Sequence, residues 1–184
     1  IEINYKEWLN TNKRPIMSPD IIPSFLYKKL QNDEKVVLVV MDCLRVDHLK
    51  AMTNKLSQIF HIDLDYYLSI LPTATPYSRN AIFSGYFPNK LQKEYSDIWL
   101  KMWQDESSMN RFEDQFLRDH IKRLGIESKS THYLKIITYE EGNKLENRIN
   151  EFKEVDFLAV VINFVDILGH SRSESNILQE MVPD

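Results

Sequence analysis

Two strand-length apolar runs constrain this chain more than anything else in it. Val36 to Met41 reads VVLVVM between Lys35 and Asp42, and Phe157 to Ile162 is its counterpart far along the chain. An unbroken, β-branched run fits a strand covered on both faces, the situation of a parallel sheet. Both runs fall far short of the roughly 20 apolar residues that a membrane-spanning helix needs. Between and around them the period changes. Ser18, Pro19 and Asp20 have the form of a helix start, which predicts a helix from Pro19 to about Leu30. Asp47 to Phe60 reads as a second helix. Ile62 to Leu71, rich in Tyr, Leu and Ile, predicts a strand that the prolines at 72 and 76 bring to an end. Ser78 is placed to cap a short helix through Phe83, closed by Gly85 and Pro88. Asn110 to Leu124 sets Phe112, Phe116, Leu117, Ile121 and Leu124 on one helical face, with Gly125 as its stop. Tyr133 to Thr138 is predicted as a short strand, Glu140 to Phe152 as a polar helix, and Phe157 to Val165 as the last strand. Strands alternating with helices predict an α/β fold with a mainly parallel central sheet flanked by helices, whose ligands gather beyond the carboxyl ends of the strands.

Composition narrows the function classes. A chain of 184 residues, 43% hydrophobic, can bury one sizeable core, so residues 1–184 read as one domain or a large piece of one. The net charge of −4 is spread rather than blocked, which argues against a surface dominated by attraction to nucleic-acid backbone or anionic lipid. The expectation is a soluble protein without a membrane partner. Cys43, the single cysteine, forms no internal disulfide, so a reducing cytoplasm is the simplest compartment. The chain does not open on Met, as expected of a segment cut from a longer protein.

Three polar clusters lie where the strand-end rule places a site. Asp42 directly follows the first apolar run; an Asp there either caps the next helix or offers a carboxylate to a divalent cation. Thr73 to Asn80 forms a Pro-rich turn containing Thr75, Ser78 and Arg79. Read structurally, that segment is a turn with Ser78 as its cap. Read chemically, the Thr75 hydroxyl is a nucleophile beside backbone N–H groups and an Arg79 guanidinium that receive a phosphate. Asn163 to His170 closes the last strand, and Asp166 and His170 stand four apart, the spacing of neighbours on a helical turn. That pair serves either as two ligands to one ion or as a solvated helix face.

Taken in order, Asp42-Cys43-Leu44-Arg45, then Leu71 through Thr75, Ser78, Arg79 and Asn80 to Gly85, then Asn163 through Asp166 and His170 to Glu174, the motifs resemble the PglZ domain of the alkaline phosphatase superfamily. The resemblance runs from about Asn12 onward and is closest to the PorX-type response regulators of type IX secretion systems. Thr75 to Gly85 is also similar to the sulfatase signature, with Thr75 in the nucleophile's place and Tyr77 where that signature has proline. The resemblance implies two zinc ions, Asp42 and Thr75 serving one, Asp166 and His170 the other, with all four converging in space. It further implies Thr75 and Arg79 as catalytic residues, and Arg79, Asn80 and Arg45 as contacts to the phosphoryl group. A surface salt bridge is the competing reading for Arg45.

The chain also departs from the family pattern. The family's later Asp-His-Gly segment and final histidine are not found, and His48, His61, His120 and His132 lie in no such context. The expectation is therefore the N-terminal portion of a catalytic domain, without the preceding receiver domain, binding zinc weakly and inactive alone. Its parent is expected to be a zinc-dependent phosphodiesterase acting on nucleotide or oligonucleotide phosphodiesters. By resemblance it is the output domain of a response regulator, with a sensor kinase, a sigma factor or secretion components as partners and a homodimer as its assembly. The rival reading is a non-catalytic signalling module that binds a nucleotide or a transcription or secretion partner. In a third, metal-free reading, all three clusters are merely caps and turns.

Overall fold

A computed structural model describes residues 3–105, 109–127, 129–163 and 165–167. In chain order its helices and strands are α1 (Tyr5–Trp8), α2 (Tyr27–Gln31), β1 (Val36–Met41), α3 (Val46–Leu56), α4 (Thr75–Ser84), α5 (Pro88–Glu94), α6 (Ser96–Met102), α7 (Glu113–Arg123), β2 (Thr131–Ile136), α8 (Tyr139–Arg148) and β3 (Phe157–Ile162). They fall into two compact units, one made of Ile1–Glu34 and Asp65–Lys129, the other of Lys35–Leu64 and Ser130–Asp184. No helix among the described residues is long and apolar enough to cross a membrane.

The second unit carries the sheet. Its three strands run parallel in the order β1-β3-β2, with Val36 opposite Phe157 and Thr131 opposite the same residue on the other side. The last of the described strands in sequence is thus central in the sheet, and five of its six residues are buried. The expectation that VVLVVM is covered on both faces needs correction. Among the described residues β1 lies at the edge of the sheet, and Val37 and Val39, on one face of its pleat, are 61% and 49% exposed. A local run of valines reports a strand but not its rank in the sheet. β2 starts two residues before the predicted boundary, and β3 ends at Ile162 rather than Val165 because the chain turns helical at 165–167. Against this sheet Ile136, Leu158 and Val160 form a small core, joined by Leu145 and Phe152 from α8 and the turn after it. α8 begins on a capping box: the Thr138 hydroxyl accepts from the Glu141 N–H, and the Glu141 carboxylate accepts from the N–H groups of Thr138 and Ile137.

The first unit is helical. The predicted helix over Pro19–Leu30 is a mixed run, a 3₁₀ turn at Ser18–Asp20, a π-helical stretch at Ile22–Leu26, then α2. Asp20 caps it, accepting from Met17 N, so Ser18 is already inside; its hydroxyl instead accepts from Ile70 N. Ile62–Leu71 is not a strand. It makes a single bridge, Met17 with Leu68, while Leu64, Tyr66 and Tyr67 are exposed. Apolar content without period-2 alternation does not define a face, and the stretch spans the boundary between the units. The second polar cluster therefore does not terminate a strand of the sheet. α4 starts four residues earlier than expected, at Thr75 with Ala74 rather than Ser78 as its cap, and Pro76 lies in its first turn, where a missing N–H costs nothing. Ser78 sits inside that helix, its hydroxyl donating back to the carbonyls of Thr73 and Ala74. α5 and α6, not anticipated from the sequence, follow before α7, which buries Phe116, Leu117 and Ile121 as predicted and stops at Gly125 with φ +72°.

Candidate metal centre

In the second unit the sheet ends bring two carboxylates together. Asp42 N donates to Ile162 O at 3.0 Å, which carries the β1–β3 ladder one rung beyond β1 and fixes Asp42 at the carboxyl end of that strand. On the neighbouring strand, Asn163 N donates to Ile136 O and Ile167 N to Asn163 O, so the chain leaves β3 in a helical turn that holds Asp166. Because β1 and β3 are adjacent and parallel, both carboxylates emerge at the same end of the sheet. Cys43 joins them. Its φ of +58° is a left-handed conformation that side chains other than Gly, Asn and Asp seldom adopt, and it lets the thiol donate to Asp166 Oδ1 at 2.7 Å. Ligand atoms of Asp42, Cys43 and Asp166 all lie within 4.8 Å of one another.

The electrostatics follow from that contact. The hydrogen bond to Asp166, then burial, then the negative charges of Asp166 and Asp42 all favour the protonated thiol and push Cys43 up to about 11. Two carboxylate oxygens and a sulfur are donor types that a divalent cation of borderline softness accepts together, so the residues present fit such an ion. Sequence reasoning misses Cys43 because it weighs a single cysteine only for disulfides; the thiol's place next to Asp42 is the available signal. His170, the fourth expected ligand, lies outside the described residues, as do Arg172 and Glu174.

Arg45 is at the surface of the same unit. It precedes α3, and its guanidinium holds Asp47 through Nε and Nη2 at 3.0 and 2.8 Å. This is the surface salt bridge weighed above, and it holds the Asp47 carboxyl below its ordinary range.

In the first unit, Thr75 is half-buried at the first position of α4, and Asn110 Nδ2 approaches its carbonyl at 3.5 Å. Arg79 is not turned toward solvent. It is 3% exposed, and Nε and Nη2 donate to Glu113 Oε1 and Oε2 at 2.8 and 2.6 Å, while Asn110 Nδ2 adds a third bond to Glu113 Oε1 at 2.9 Å. Asn80 is likewise enclosed, its amide donating to Pro76 O at 2.7 Å and Met109 O at 2.9 Å. The expectation for Arg79 and Asn80 is contact with a phosphoryl group; in this structure both side chains fasten the first turns of α4 to α7 and the segment before it. Sequence reasoning also misses Glu113, although it sits on the same helical stripe as Phe116, Leu117 and Ile121, and an acid on an apolar stripe signals a buried partner.

Residues 24–184 match the model of one protein family, described as the BREX system PglZ alkaline phosphatase-like domain. No curated protein matches the sequence. The parallel α/β sheet flanked by helices agrees with that family assignment.

Proposed function

Since the chain belongs to the PglZ family of alkaline phosphatase-like domains, we propose that it forms part of a metal-dependent phosphodiesterase in which Asp42 and Asp166 are cation ligands and Thr75 is the nucleophile. The observation that carries this reading is the meeting of the Asp42 and Asp166 carboxylates at the ends of adjacent parallel strands. A family that commonly uses metal ions and a donor set of this chemistry support each other. A bound divalent ion supplies charge stabilisation to the phosphoryl oxygens and to the attacking and leaving oxygens. Thr75, at the first position of a ten-residue helix, brings a hydroxyl to a helix start, the positive end of the helix dipole, which favours a phosphoryl group. Its oxygen bonds to phosphorus as the ester bond to the leaving group breaks and its own proton passes to solvent; water then cleaves the threonyl phosphoester. Arg79 and Glu113 serve as positioning residues that hold the turn bearing this hydroxyl. The finer likeness of the motifs to PorX-type response regulators supports zinc as the ion and a nucleotide or oligonucleotide phosphodiester as the substrate, with a role in signalling to secretion.

The test uses the full-length, zinc-loaded protein and bis(p-nitrophenyl) phosphate. Thr75→Val, which keeps the shape and removes the oxygen, should abolish hydrolysis while leaving the fold and most of the metal binding at Asp166 and His170 intact, whereas Thr73→Val should keep most of the activity. Asp42→Asn should lower zinc content itself. Wild-type cleavage by Thr75→Val would rule out the nucleophile, and full zinc content in Asp42→Asn would rule out the ligand.

A further inference from the structure

The turn that leaves α4 is unusually constrained. Gly85 has φ +66°, and a Cβ added there would lie 2.4 Å from the His120 ring, so the chain turns here only as glycine. His120 Nδ1 meets Phe83 O at 3.1 Å, and Arg123 donates to Ser84 O, which ties the turn to α7. What the turn presents is a pair of aromatic rings that carry cations. Lys90 Nζ lies 4.3 Å and the Arg123 guanidinium carbon 4.1 Å from the centre of the Tyr86 ring, and the Arg14 guanidinium lies 4.9 Å from that of Phe87. Arg14 grips the Asp20 carboxylate through Nη1 and Nη2, which fixes its plane and leaves Nε out of the pair. Lys90 and Arg123 have no carboxylate in salt-bridge range among the described residues.

A cavity of about 270 Å³ opens beside these groups, within the first unit. Arg14, Lys90, Asn10, Thr11, Asn12 and Tyr86 are among the residues that line it, and no Asp or Glu is. Asp20 offsets the Arg14 charge, so Lys90 is the cation beside the cavity that no described carboxylate pairs. Lys90, resting on the Tyr86 face, keeps its full charge while losing side-chain freedom before any ligand arrives, which lowers the entropic cost of binding an anion. Asn10 already donates its amide to Lys6 O, so the further donors in the lining residues are the Thr11 hydroxyl and the Asn12 amide, groups that a tetrahedral oxyanion accepts from. The volume lies below the ~300–1,000 Å³ of pockets for drug-sized ligands, which fits a phosphate or diphosphate group better than a whole nucleotide.

We propose that this cavity, bounded by Arg14, Lys90 and Tyr86, is a binding site for a phosphoryl oxyanion, either free or carried on a small organic group. It rests on the first unit alone and does not depend on the reading of Asp42, Asp166 and Thr75.

Calorimetric titration of the full-length protein in low salt and excess EDTA tests it, with pyrophosphate, inorganic phosphate and AMP as separate probes. Chelation keeps the Asp42 and Asp166 carboxylates from taking part through a metal. At least one probe should bind with Kd near or below about 1 mM. Lys90→Glu should weaken that binding by about tenfold or more, and Lys90→Met by less, with circular dichroism unchanged and Asp42→Asn binding as the wild type does. Pyrophosphate binding more tightly than AMP identifies an inorganic ligand; the reverse identifies an organic phosphate. The proposal is overturned if all three probes fail to bind, or if binding persists undiminished in Lys90→Glu or disappears in Asp42→Asn.

Discussion

Arg79 and Glu113 face each other as a bidentate pair closed to solvent, Nε to Oε1 at 2.8 Å and Nη2 to Oε2 at 2.6 Å, one residue 3% exposed and the other 0%. The pair joins the helix bearing Thr75 to α7. Removing one partner leaves the other charge buried, so Glu113→Ala should cost about 3–5 kcal/mol. The double variant Arg79→Met/Glu113→Leu should be more stable than Glu113→Ala, because no uncompensated charge remains. Urea denaturation of Glu113→Ala and of the cycle formed by the wild type, Arg79→Met, Glu113→Leu and the double variant checks this; additive effects of Arg79→Met and Glu113→Leu would show that the two side chains act independently.

Two glycines with nearly the same φ should respond differently to alanine. At Gly125 a Cβ meets nothing within 4 Å, so only the left-handed backbone is strained, about 1–2 kcal/mol. At Gly85 the same strain is joined by a 2.4 Å approach to the His120 ring, and His120 is itself packed and bonded to Phe83 O. Gly85→Ala should therefore lower the midpoint of denaturation clearly more than Gly125→Ala. Equal losses would mean that the ring yields freely.

His120 should make the fold sensitive to acid. Burial, then the Arg123 charge, lowers its pKa to about 4, although the bond to Phe83 O opposes the shift. The unfolded chain takes up a proton near pH 6.5 while the folded chain does not, so this contribution is complete above about 6.5 and is lost as the pH falls toward 4. Linkage over that window amounts to roughly 3 kcal/mol. Stability measured from pH 7 to 4.5 should decline less steeply in His120→Gln than in the wild type. Parallel curves would assign the acid sensitivity to other groups.

The Cys43 thiol should be slow toward alkylating reagents despite its exposure. With its pKa raised to about 11, it is almost wholly protonated at neutral pH, and the thiolate is the reactive form. In metal-free protein the rate with iodoacetamide should keep climbing beyond pH 9. Asp166→Asn removes the largest cause of the shift and should bring the midpoint of that climb down. An unchanged profile in Asp166→Asn would mean that the thiol bonds elsewhere in solution.

What can be read from the sequence is local. The apolar runs announce β1 and β3, the stripe from Phe112 to Ile121 announces α7, and the strand-end rule places Asp42 and Asp166 together because each follows its strand closely. What escapes depends on residues distant in sequence. Whether VVLVVM is central or at an edge depends on β3 inserting between β1 and β2, which no window around Val36 contains. Arg79 has the residue type of a phosphate contact, but its direction is set by Glu113, which reaches it only because α4 lies against α7. Thr75 and Pro76 read as loop because Ser78 resembles a cap, and that likeness does not reveal that the helix has already begun.

The order β1-β3-β2 also bears on how the chain acquires its shape. Among the described residues the two outer strands do not touch each other; each pairs with β3, which follows both in sequence. Val36 must wait for Phe157, and the whole inserted stretch from Asp65 to Lys129 is made in between. Contacts so far apart in sequence close slowly, whereas the helical stretch relies on nearer neighbours. During translation the helical unit can therefore condense while β1, with its exposed valines, stays unpaired. The nascent chain is most prone to misassociation in that interval, and substitutions that strengthen α4 and α7 would not shorten it.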